Sequence, residues 1–194
     1  MDTGIVILAA GNSSRLGRPK QLLKFKQKTL IEHTINAALQ TSFQPIIVVL
    51  GAYADEIQEK ISTEVNLLIN KNWSEGMSSS ITAGVAALIK QSPLLENIII
   101  AISDQAFITA EIFHALKQKQ ISTKKAIIAS TYAKTTGTPV LFNKQYFPQL
   151  LSLTGNSGAK SMLKLHHNDV ETVAFAMGNI DIDTETDYHN LIKQ

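Results

Sequence analysis

The sequence feature that most constrains the fold is the segment 5–20, IVILAAGNSSRLGRPK, in which a short apolar run changes abruptly into a small polar loop. Residues 5–8 lack polar alternation, which is typical of a strand covered on both faces in a parallel sheet. The loop therefore begins at the carboxyl end of a strand, the edge where open α/β sheets bind ligands. Its glycines let backbone N–H groups approach an anion, and Arg15, Arg18 and Lys20 can neutralise one. The segment predicts a phosphate-rich ligand.

Two common phosphate-binding loops are excluded by the residues around the glycines. A P-loop requires Gly-Lys-Ser/Thr after its second glycine, whereas residues 17–20 are GRPK. A dinucleotide fingerprint requires G-x-G-x-x-G, whereas Gly11 is followed by Asn12 and Ser13. An ordinary turn with solvated charges is the alternative, but it gives no reason for two glycines, two serines and three cations to follow a buried strand.

Residues 8–20 instead carry the pattern L-A-A-G-x-S-x-R-x-G-x-x-K. This pattern resembles nucleotidyltransferases that condense a nucleoside triphosphate with a phosphorylated acceptor, and among them the molybdenum cofactor cytidylyltransferase family of MobA-like NTP transferases. The resemblance implies a fold of the nucleotide-diphospho-sugar transferase type, a Mg²⁺ cofactor and CTP as substrate, with GTP or another triphosphate left open. The nucleotide-binding residues implied by this loop are Leu8, Ala9, Ala10, Gly11, Asn12, Ser13 and Ser14.

Composition limits the other classes of protein. A chain of 194 residues, 44% of them hydrophobic, can bury one sizeable α/β core, so we expect a single nucleotidyltransferase domain over residues 1–194. The net charge of +2 is too small to predict nucleic-acid binding, and Lys24, Lys26 and Lys28 alternate as in a solvated strand or hairpin. The absence of cysteine excludes disulfides and thiolate metal sites. Without a basic leader or a membrane-length apolar run, we expect a cytoplasmic protein that does not bind membranes.

Beyond the loop, hydrophobic periodicity predicts strands that alternate with helices. Thr29 and Glu32 form a capping box at the start of a helix, and the apolar strand Ile46–Leu50 completes a βαβ unit. The right-handed crossover rule and the closer spacing of the later strands predict an α/β Rossmann-like three-layer sandwich, mostly parallel with some antiparallel pairing. The other predicted helices span residues 54–61, 78–90 and 109–119, with Thr109 as N-cap, and the other strands span residues 65–69, 98–102, 126–130, 139–142 and 171–176.

Asp104 directly follows the apolar run 98–102. We expect it at the same sheet edge as the Gly11 loop, where a carboxylate can hold Mg²⁺ against nucleotide phosphate oxygens. A turn or helix cap is the alternative, although Thr109 already supplies a cap for the next helix. The corresponding segment of the family is Gly-Asp-Gln-Pro, and here Ser103 and Ala106 replace its glycine and proline.

Residues 70–84 resemble the family pattern N-x-x-W-x-x-G-M-x-x-S-x-x-x-G, which the resemblance assigns to the base and ribose. Gly76 lets a base edge meet the backbone, and Asn70 offers both a donor and an acceptor, which suits a pyrimidine. Met77 and Ser80 complete the predicted nucleotide-binding residues. In an ordinary loop, by contrast, the serines would cap a helix and Trp73 would lie in the core.

The C-terminal segment 178–184, GNIDIDT, alternates apolar and acidic residues, so Asp181 and Asp183 should project to the same side. It resembles the family's D-x-D-T-x-x-D segment. We expect Asp183 to join Asp104 as a metal ligand, and Asp181 stays open for that role. The alternative is that Asp183 or Thr184 caps the last helix.

Two weaker matches concern the acceptor. Gly137 and Pro139 belong to a G-x-P strand entrance, and Gly158 and Lys160 belong to the turn 155–160, GNSGAK. In this turn Asn156 and Lys160 stand where the family has aspartate and arginine, and Thr138 stands where histidine is common. Because lysine binds phosphate as a point charge rather than bidentately, recognition of the acceptor should differ.

The predicted reaction is attack by the acceptor's phosphate oxygen on the α-phosphorus of the triphosphate, with release of pyrophosphate. Arg15, Lys20 and Asp104 are the predicted catalytic residues. The expected acceptor is a phosphorylated pterin, molybdopterin or molybdenum cofactor, and a molybdoenzyme or chaperone is a further expected partner. The alternatives are a nucleotidyltransferase for a sugar or alditol phosphate and a non-catalytic protein that binds a nucleotide or cofactor.

Overall fold

The computed structural model describes residues 2–61, 64–155 and 157–193. Within these ranges the predicted strands and helices occur in the predicted order, and two helices between residues 147 and 165 were not predicted. The strands are β1 (Thr3–Ala9), β2 (Lys24–Phe25), β3 (Lys28–Thr29), β4 (Ile46–Leu50), β5 (Asn66–Ile69), β6 (Asn97–Ile102), β7 (Ile127–Tyr132), β8 (Thr135–Asn143) and β9 (Val170–Ala174). The helices are α1 (Leu30–Leu39), α2 (Ala54–Gln58), α3 (Met77–Gln91), α4 (Ala110–Thr123), α5 (Phe147–Leu151), α6 (Ala159–Leu165) and α7 (Glu185–Leu191). No helix in the described ranges has the length and apolar character needed to cross a membrane.

Seven of the described strands form one sheet in the order β5-β4-β1-β6-β8-β7-β9. Strands β5, β4, β1 and β6 run parallel, and β7 pairs in parallel with β9. Strand β8 is antiparallel to both of its neighbours, β6 and β7. The predicted mostly parallel sheet with some antiparallel pairing is therefore confirmed, and β2 and β3 form the hairpin that the alternating lysines predicted.

Helices cover both faces of this sheet. Ile5 and Ile7 of β1 pack with residues of α1, α2 and α4, whereas Val6 and Leu8 pack with residues of α3, α5 and α6. Every residue of β1 is buried, as expected for a strand covered on both faces. The three-layer sandwich is confirmed.

Strand β8 begins four residues earlier than the predicted strand 139–142, so Pro139 lies inside the strand instead of at its start. Ala129 pairs with Val140, but the next residue of β7, Ser130, pairs with Gly137, so the register shifts around the proline. A proline has no N–H to donate to the ladder, and a bulge accommodates it. Gly137 and Thr138 thereby lie near the carboxyl end of β6.

The C-terminal segment packs against the region that follows the β1 loop. A small apolar cluster joins both parts of the chain, and its buried members are Leu23, Phe25, Leu30, Ala106, Ile182 and Leu191. Ile182 is fully buried between the more exposed Asp181 and Asp183. The predicted alternation is therefore present, although these residues lie outside the strands, and the cluster brings both carboxylates to the sheet edge where β1 ends.

Candidate functional site

The loop after β1 is fixed through its carbonyl groups. Gln21 Nε2 donates to the carbonyl oxygens of Ala9 at 3.1 Å and Gly11 at 3.0 Å. The Tyr53 hydroxyl donates to the carbonyl oxygen of Asn12 at 2.9 Å. Among the described residues, none accepts a hydrogen bond from the backbone N–H groups of residues 11–14. The loop therefore offers consecutive donors to an anion, as a phosphate cradle requires.

Gln21 is a site residue that sequence reasoning missed. It is 2% exposed, both of its amide donors hold the loop, and its Oε1 has no partner within the described chain. The one signal in the sequence is a polar residue next to Lys20 at the start of an apolar stretch, which does not by itself distinguish a buried amide from a surface one. Gln21 sets the shape of the predicted phosphate loop.

Lys20 lies between two carboxylates. Its Nζ is 2.5 Å from Asp104 Oδ2 and 3.0 Å from Asp183 Oδ1, and its backbone N–H donates to Ser13 Oγ at 3.1 Å. Burial disfavours the charged form, but the two carboxylates more than offset this, so the pKa of Lys20 lies above its ordinary value. The structure thus brings together three residues that are distant in the sequence, and Lys20 stays charged at neutral pH.

The donors around Lys20 suit a hard divalent cation. Asp104 Oδ1 is buried and has no hydrogen-bond partner among the described residues, and Asp183 presents a second carboxylate to the same ammonium group. Mg²⁺ and Mn²⁺ prefer such oxygen ligands. The described residues contain no group of three or more acidic or histidine side chains placed to hold a metal ion. A cation here would therefore complete its coordination with oxygens from a ligand and from water.

Two arginines connect the loop to the C-terminal segment. Arg15 Nη2 is 2.6 Å from Asp183 Oδ2. Arg18 makes a forked contact with Glu185, with Nη2 at 2.7 Å from Oε1 and 2.9 Å from Oε2, and its guanidinium carbon lies 5.8 Å from the centroid of the Tyr188 ring. Partial burial would raise the pKa of Asp183, but its bonds to Lys20 and Arg15 outweigh this and lower that pKa.

The cap of α7 explains how Asp183 stays available for these contacts. Thr184 accepts the N–H of Asp187, and Asp187 accepts the N–H groups of Thr184 and Asp183 in a capping box. Thr184 therefore fills the capping role that was the alternative for Asp183, and the Asp183 carboxylate points to the cations instead.

A cavity of about 460 Å³ opens at the carboxyl ends of β1 and β6. Many of the predicted site residues line it: Leu8, Ala9, Ala10, Gly11, Asn12, Lys20, Gly76, Met77, Ser80 and Asp104. Trp73, which belongs to the family-like pattern of residues 70–84, also lines it, and sequence reasoning did not select four other lining residues, namely Gln21, Ser74, Ile102 and Ser103. Trp73 is partly exposed at this cavity rather than buried in the core. The cavity combines a small-residue backbone wall with an aromatic side chain, which suits a nucleoside.

Asn70 lies behind this cavity instead of lining it. It is 7% exposed, its Nδ2 donates to the hydroxyls of Ser79 at 2.9 Å and Ser80 at 3.0 Å, and its Oδ1 accepts the N–H of Asn72 at 3.0 Å. These bonds join the loop to the first turn of α3. Asn70 thus orients Ser80 and the loop before α3.

Gly76 occupies a backbone conformation that other residues avoid. Its φ of 108° and ψ of 177° place it at the N-cap of α3, between the turn containing Trp73 and the helix. This region is essentially restricted to glycine. The chain can therefore turn sharply beside the first cavity only because residue 76 has no side chain.

A second cavity of about 290 Å³ adjoins the first. The two share Leu8, Met77 and Ile102. Gly137, Gly158 and Lys160 of the predicted acceptor residues line the second cavity, together with Tyr132, Thr138 and Asp181. Pro139 is buried in the sheet behind it, where its carbonyl oxygen accepts the Ser130 hydroxyl, and Asn156 lies outside the described residues.

Close packing defines one wall of the second cavity. A Cβ atom on Gly137 would lie 2.2 Å from the Tyr132 hydroxyl oxygen, so a side chain there would displace the Tyr132 ring. Gln105 Nε2 donates to the carbonyl oxygens of Thr138 at 2.9 Å and Gly178 at 3.3 Å, which joins β8 to the C-terminal segment. Desolvation raises the pKa of Tyr132, and desolvation together with the charges of Asp104 and Asp183 raises the pKa of Asp181.

The remaining predicted residues lie at the rim. Arg15, Ser13 and Ser14 belong to the loop but do not line either cavity. The Arg15 side chain is 68% exposed and held by Asp183. The structure therefore places one group of predicted residues in the first cavity, a second in the adjoining cavity and a basic rim beside them.

An α/β sheet with a donor-rich loop and paired carboxylates at one edge is the arrangement that enzymes acting on phosphorylated ligands use. Comparison with protein families makes this specific. The family described as "MobA-like NTP transferase domain" matches residues 5–171, and the chain belongs to this nucleotidyltransferase family.

Individual proteins and solved structures are also similar to this chain. Molybdenum cofactor cytidylyltransferase of Escherichia coli K12 is 27% identical over 94% of this chain and 92% of that protein. Nicotine blue oxidoreductase of Paenarthrobacter nicotinovorans is 37% identical over 52% of this chain, and the match spans about half of that relative, 48% of its length. The crystal structure of Rv0371c from Mycobacterium tuberculosis H37Rv superposes with a TM-score of 0.88 at 25% identity, over 100% of this chain and 98% of that one. The same protein has also been solved in complex with manganese, and that structure superposes with a TM-score of 0.83 at 23% identity over the full length of both chains.

Proposed function

We propose that this protein transfers a nucleoside monophosphate, CMP from CTP, to a phosphorylated acceptor and releases pyrophosphate in a reaction that requires Mg²⁺. The observation that carries the proposal is the position of Lys20. Its ammonium group lies between Asp104 and Asp183, beside a loop with free N–H donors and at one wall of the first cavity. A cation, two carboxylates and a phosphate cradle in one place are the parts that phosphoryl transfer needs.

The first cavity is the proposed nucleotide site. The backbone of residues 8–12 and of Gly76 supports a base that meets main-chain groups, and Trp73 offers an apolar surface beside it. The N–H groups of residues 11–14 are proposed to bind the β- and γ-phosphates, with Arg15 at the rim. The name of the relative from E. coli, a cytidylyltransferase, favours CTP as the nucleotide. Asn70 supports this site from behind through Ser80.

The second cavity is the proposed acceptor site. It shares one wall with the first cavity, so an acceptor bound there can direct its phosphate toward the α-phosphorus of the nucleotide. Lys160 is its proposed anion contact, and Gly137 and Gly158 provide room for the ligand. The name of the relative from E. coli, matched over 94% of this chain, supports a molybdenum cofactor or molybdopterin as the acceptor.

In the proposed reaction, an oxygen of the acceptor phosphate forms a bond to the α-phosphorus, and the bond from that phosphorus to the β-bridging oxygen breaks. The electron pair leaves with pyrophosphate. Lys20 and Arg15 stabilise the negative charge that builds on the phosphoryl oxygens, and the cradle holds the leaving group. Because the attacking phosphate is already ionised, no side chain needs to remove a proton. Asp104 and Asp183 would hold Mg²⁺, which supplies further charge neutralisation, and the manganese complex of the M. tuberculosis relative supports a divalent ion.

The decisive experiment combines binding and turnover. Trp73 is the single tryptophan of the chain and lines the first cavity, so its fluorescence should report nucleotide binding there. We expect tighter binding of CTP than of GTP in the presence of Mg²⁺. Pyrophosphate release would then be measured with CTP and a panel of acceptors: molybdopterin, molybdenum cofactor, a hexosamine 1-phosphate and an alditol phosphate.

Each outcome assigns a different function. Release with a pterin acceptor supports the proposal. Release only with a sugar or alditol phosphate indicates the alternative transferase, and nucleotide binding without release from any pair indicates a non-catalytic binding protein. Tighter binding of GTP would contradict the assignment of CTP.

A further inference from the structure

The second cavity contains two opposite charges that the protein does not pair. Asp181 and Lys160 both line it, and neither side chain has a hydrogen-bond or ion-pair partner among the described residues. Both side chains are exposed at the cavity, and the charges of Lys160 and Lys20 act on the Asp181 carboxylate although neither forms an ion pair with it. Such an arrangement is compatible with a ligand that supplies both missing partners.

Asp181 differs from the carboxylates around Lys20. Asp104 and Asp183 form ion pairs with Lys20, and Asp183 also pairs with Arg15. Asp181 is two residues from Asp183, on the other side of the buried Ile182, and it lines the second cavity and not the first. Its position therefore separates it from the proposed nucleotide phosphates and directs it to the neighbouring ligand.

We propose that Asp181 determines which acceptor is used, an inference that rests on the proposed function. Its carboxylate accepts hydrogen bonds from N–H or O–H groups on the acceptor's ring, while Lys160 pairs with an anionic group of the same molecule. The aliphatic side chains of Leu8, Ile81 and Ile102 contact the ring. The ligand class is thus a phosphorylated ring compound with hydrogen-bond donors on its ring.

The same carboxylate also rejects ligands. The charges of Asp104 and Asp183 act on Asp181 in the same direction as its burial, and the charges of Lys20 and Lys160 only partly offset them. An acceptor with a second anionic group directed at Asp181 would face like-charge repulsion, whereas a neutral donor group would form a charge-assisted hydrogen bond. Selection therefore includes one attractive and one repulsive contribution.

The test compares Asp181→Asn with the wild-type enzyme, using the best acceptor of the panel. Asparagine keeps the size of the side chain but removes the charge and one acceptor position. We expect the KM for the acceptor to rise by about tenfold to a hundredfold, the cost of a lost hydrogen bond to a charged group. The Kd of CTP from Trp73 fluorescence and the Mg²⁺ concentration for half-maximal activity should stay unchanged. Asp55→Asn, which changes an exposed aspartate of α2 outside both cavities, is the matched control.

Inorganic phosphate serves as a second probe, because it carries the anion but no ring. Its inhibition constant against the acceptor should rise in Lys160→Met and should not rise in Asp181→Asn. If the inhibition constant of phosphate and the KM for the acceptor both rise in Asp181→Asn, the substitution distorts the cavity and the proposal is overturned. Asp181→Ala repeats the measurement without the new amide donors.

The remaining outcomes are also decisive. An unchanged acceptor KM overturns the role of Asp181 while the proposed function stands. A raised Mg²⁺ requirement with unchanged acceptor KM makes Asp181 a metal ligand instead. If the wild-type enzyme binds CTP but releases no pyrophosphate with any acceptor, the proposed function itself fails, and the inference about Asp181 falls with it.

Discussion

Lys20 Nζ lies 3.0 Å from Asp183 Oδ1, although 163 residues separate the two in the chain. Arg15 contacts the other oxygen of the same carboxylate at 2.6 Å. The two cations proposed to bind the triphosphate are therefore already paired with an anion of the protein. In the proposed reaction we therefore expect the nucleotide to replace Asp183 as a partner of these cations, and a divalent cation to bind the carboxylate that is released. Binding of nucleotide and of metal should accordingly be coupled.

The first prediction concerns Lys20→Ala. We expect kcat to fall by about 10²–10³, the usual cost of removing one contact to developing charge, with a smaller effect on the Kd of CTP. The difference arises because the charge on the phosphoryl oxygens is greatest in the transition state. Stopped-flow measurement of pyrophosphate release and Trp73 fluorescence would give the two constants. Lys24→Ala, at an exposed lysine of the β2–β3 hairpin, is the control, and wild-type turnover in Lys20→Ala would exclude the assigned role.

The second prediction concerns Asp104→Asn. Its Oδ1 has no partner within the described chain and its Oδ2 pairs with Lys20. The contacts therefore give this carboxylate no structural role beyond the ion pair with Lys20. We expect metal-dependent activity to fall by at least about 10²-fold at every Mg²⁺ concentration. The free energy of unfolding should change by less than about 2 kcal/mol because Lys20 retains Asp183. Full activity at high Mg²⁺ would argue against ligation, and a collapse of the melting temperature would make Asp104 a structural residue.

The third prediction concerns Gly76→Ala. The φ of 108° places this residue where a side chain costs about 1–3 kcal/mol, so the variant should be less stable and should bind CTP more weakly. Gly11→Ala is the stability control, because its φ is not positive and a Cβ there meets no atom within 4 Å. Denaturant unfolding of both variants measures the difference. Equal stability of Gly76→Ala and Gly11→Ala would show that the turn before α3 can relax.

The fourth prediction compares Asp181→Asn with Asp183→Asn in the absence of metal. The pKa of Asp183 lies below the ordinary 3.8, so its ionised form stabilises the fold above that pH, and the stabilisation is lost as the pH falls through the lowered pKa. The pKa of Asp181 lies above 3.8, so its ionisation destabilises the fold as the pH rises from 3.8 through the raised pKa.

At neutral pH, Asp183→Asn should therefore melt below the wild-type protein and Asp181→Asn above it. Both differences should stay under about 1 kcal/mol because solvent screens these partly exposed groups. The gain in stability of Asp181→Asn should vanish below pH 3.8, whereas the loss of stability of Asp183→Asn should persist to lower pH. Thermal unfolding in EDTA over this range tests the pair, and shifts of the same sign would contradict the assigned environments.

The sheet was accessible from the sequence because its strands are marked by uninterrupted apolar runs. Residues 5–8 and Ile46–Leu50 have no polar alternation, and both are strands buried on two faces. The bulge at Pro139 was not predicted, since the pairing of β8 with two antiparallel neighbours depends on strand order, which local periodicity does not contain.

Local motifs predicted many lining residues of the first cavity but not the contacts among them. Glycines mark both the loop after β1 and the turn before α3, and two of them, Gly17 and Gly76, have a positive φ. The pairing of Lys20 with Asp104 and Asp183 depends instead on the chain's return to the sheet edge, which the cluster around Ile182 and Leu191 produces. The buried Gln21 was missed because its partners are carbonyl groups, and carbonyl groups leave no signature in a sequence.

The C-terminal cluster also has a consequence for the order in which this site is made. Residues 8–20 of the phosphate loop leave the ribosome before Asp183 and the cap at Thr184, which lie more than 160 residues further along the chain. Until then, Arg15 and Lys20 lack the carboxylate that holds them in the finished protein. The nascent chain can assemble its central parallel strands first, and the contacts of Arg15 and Lys20 with Asp183 can form only after the C-terminal cluster has been synthesised.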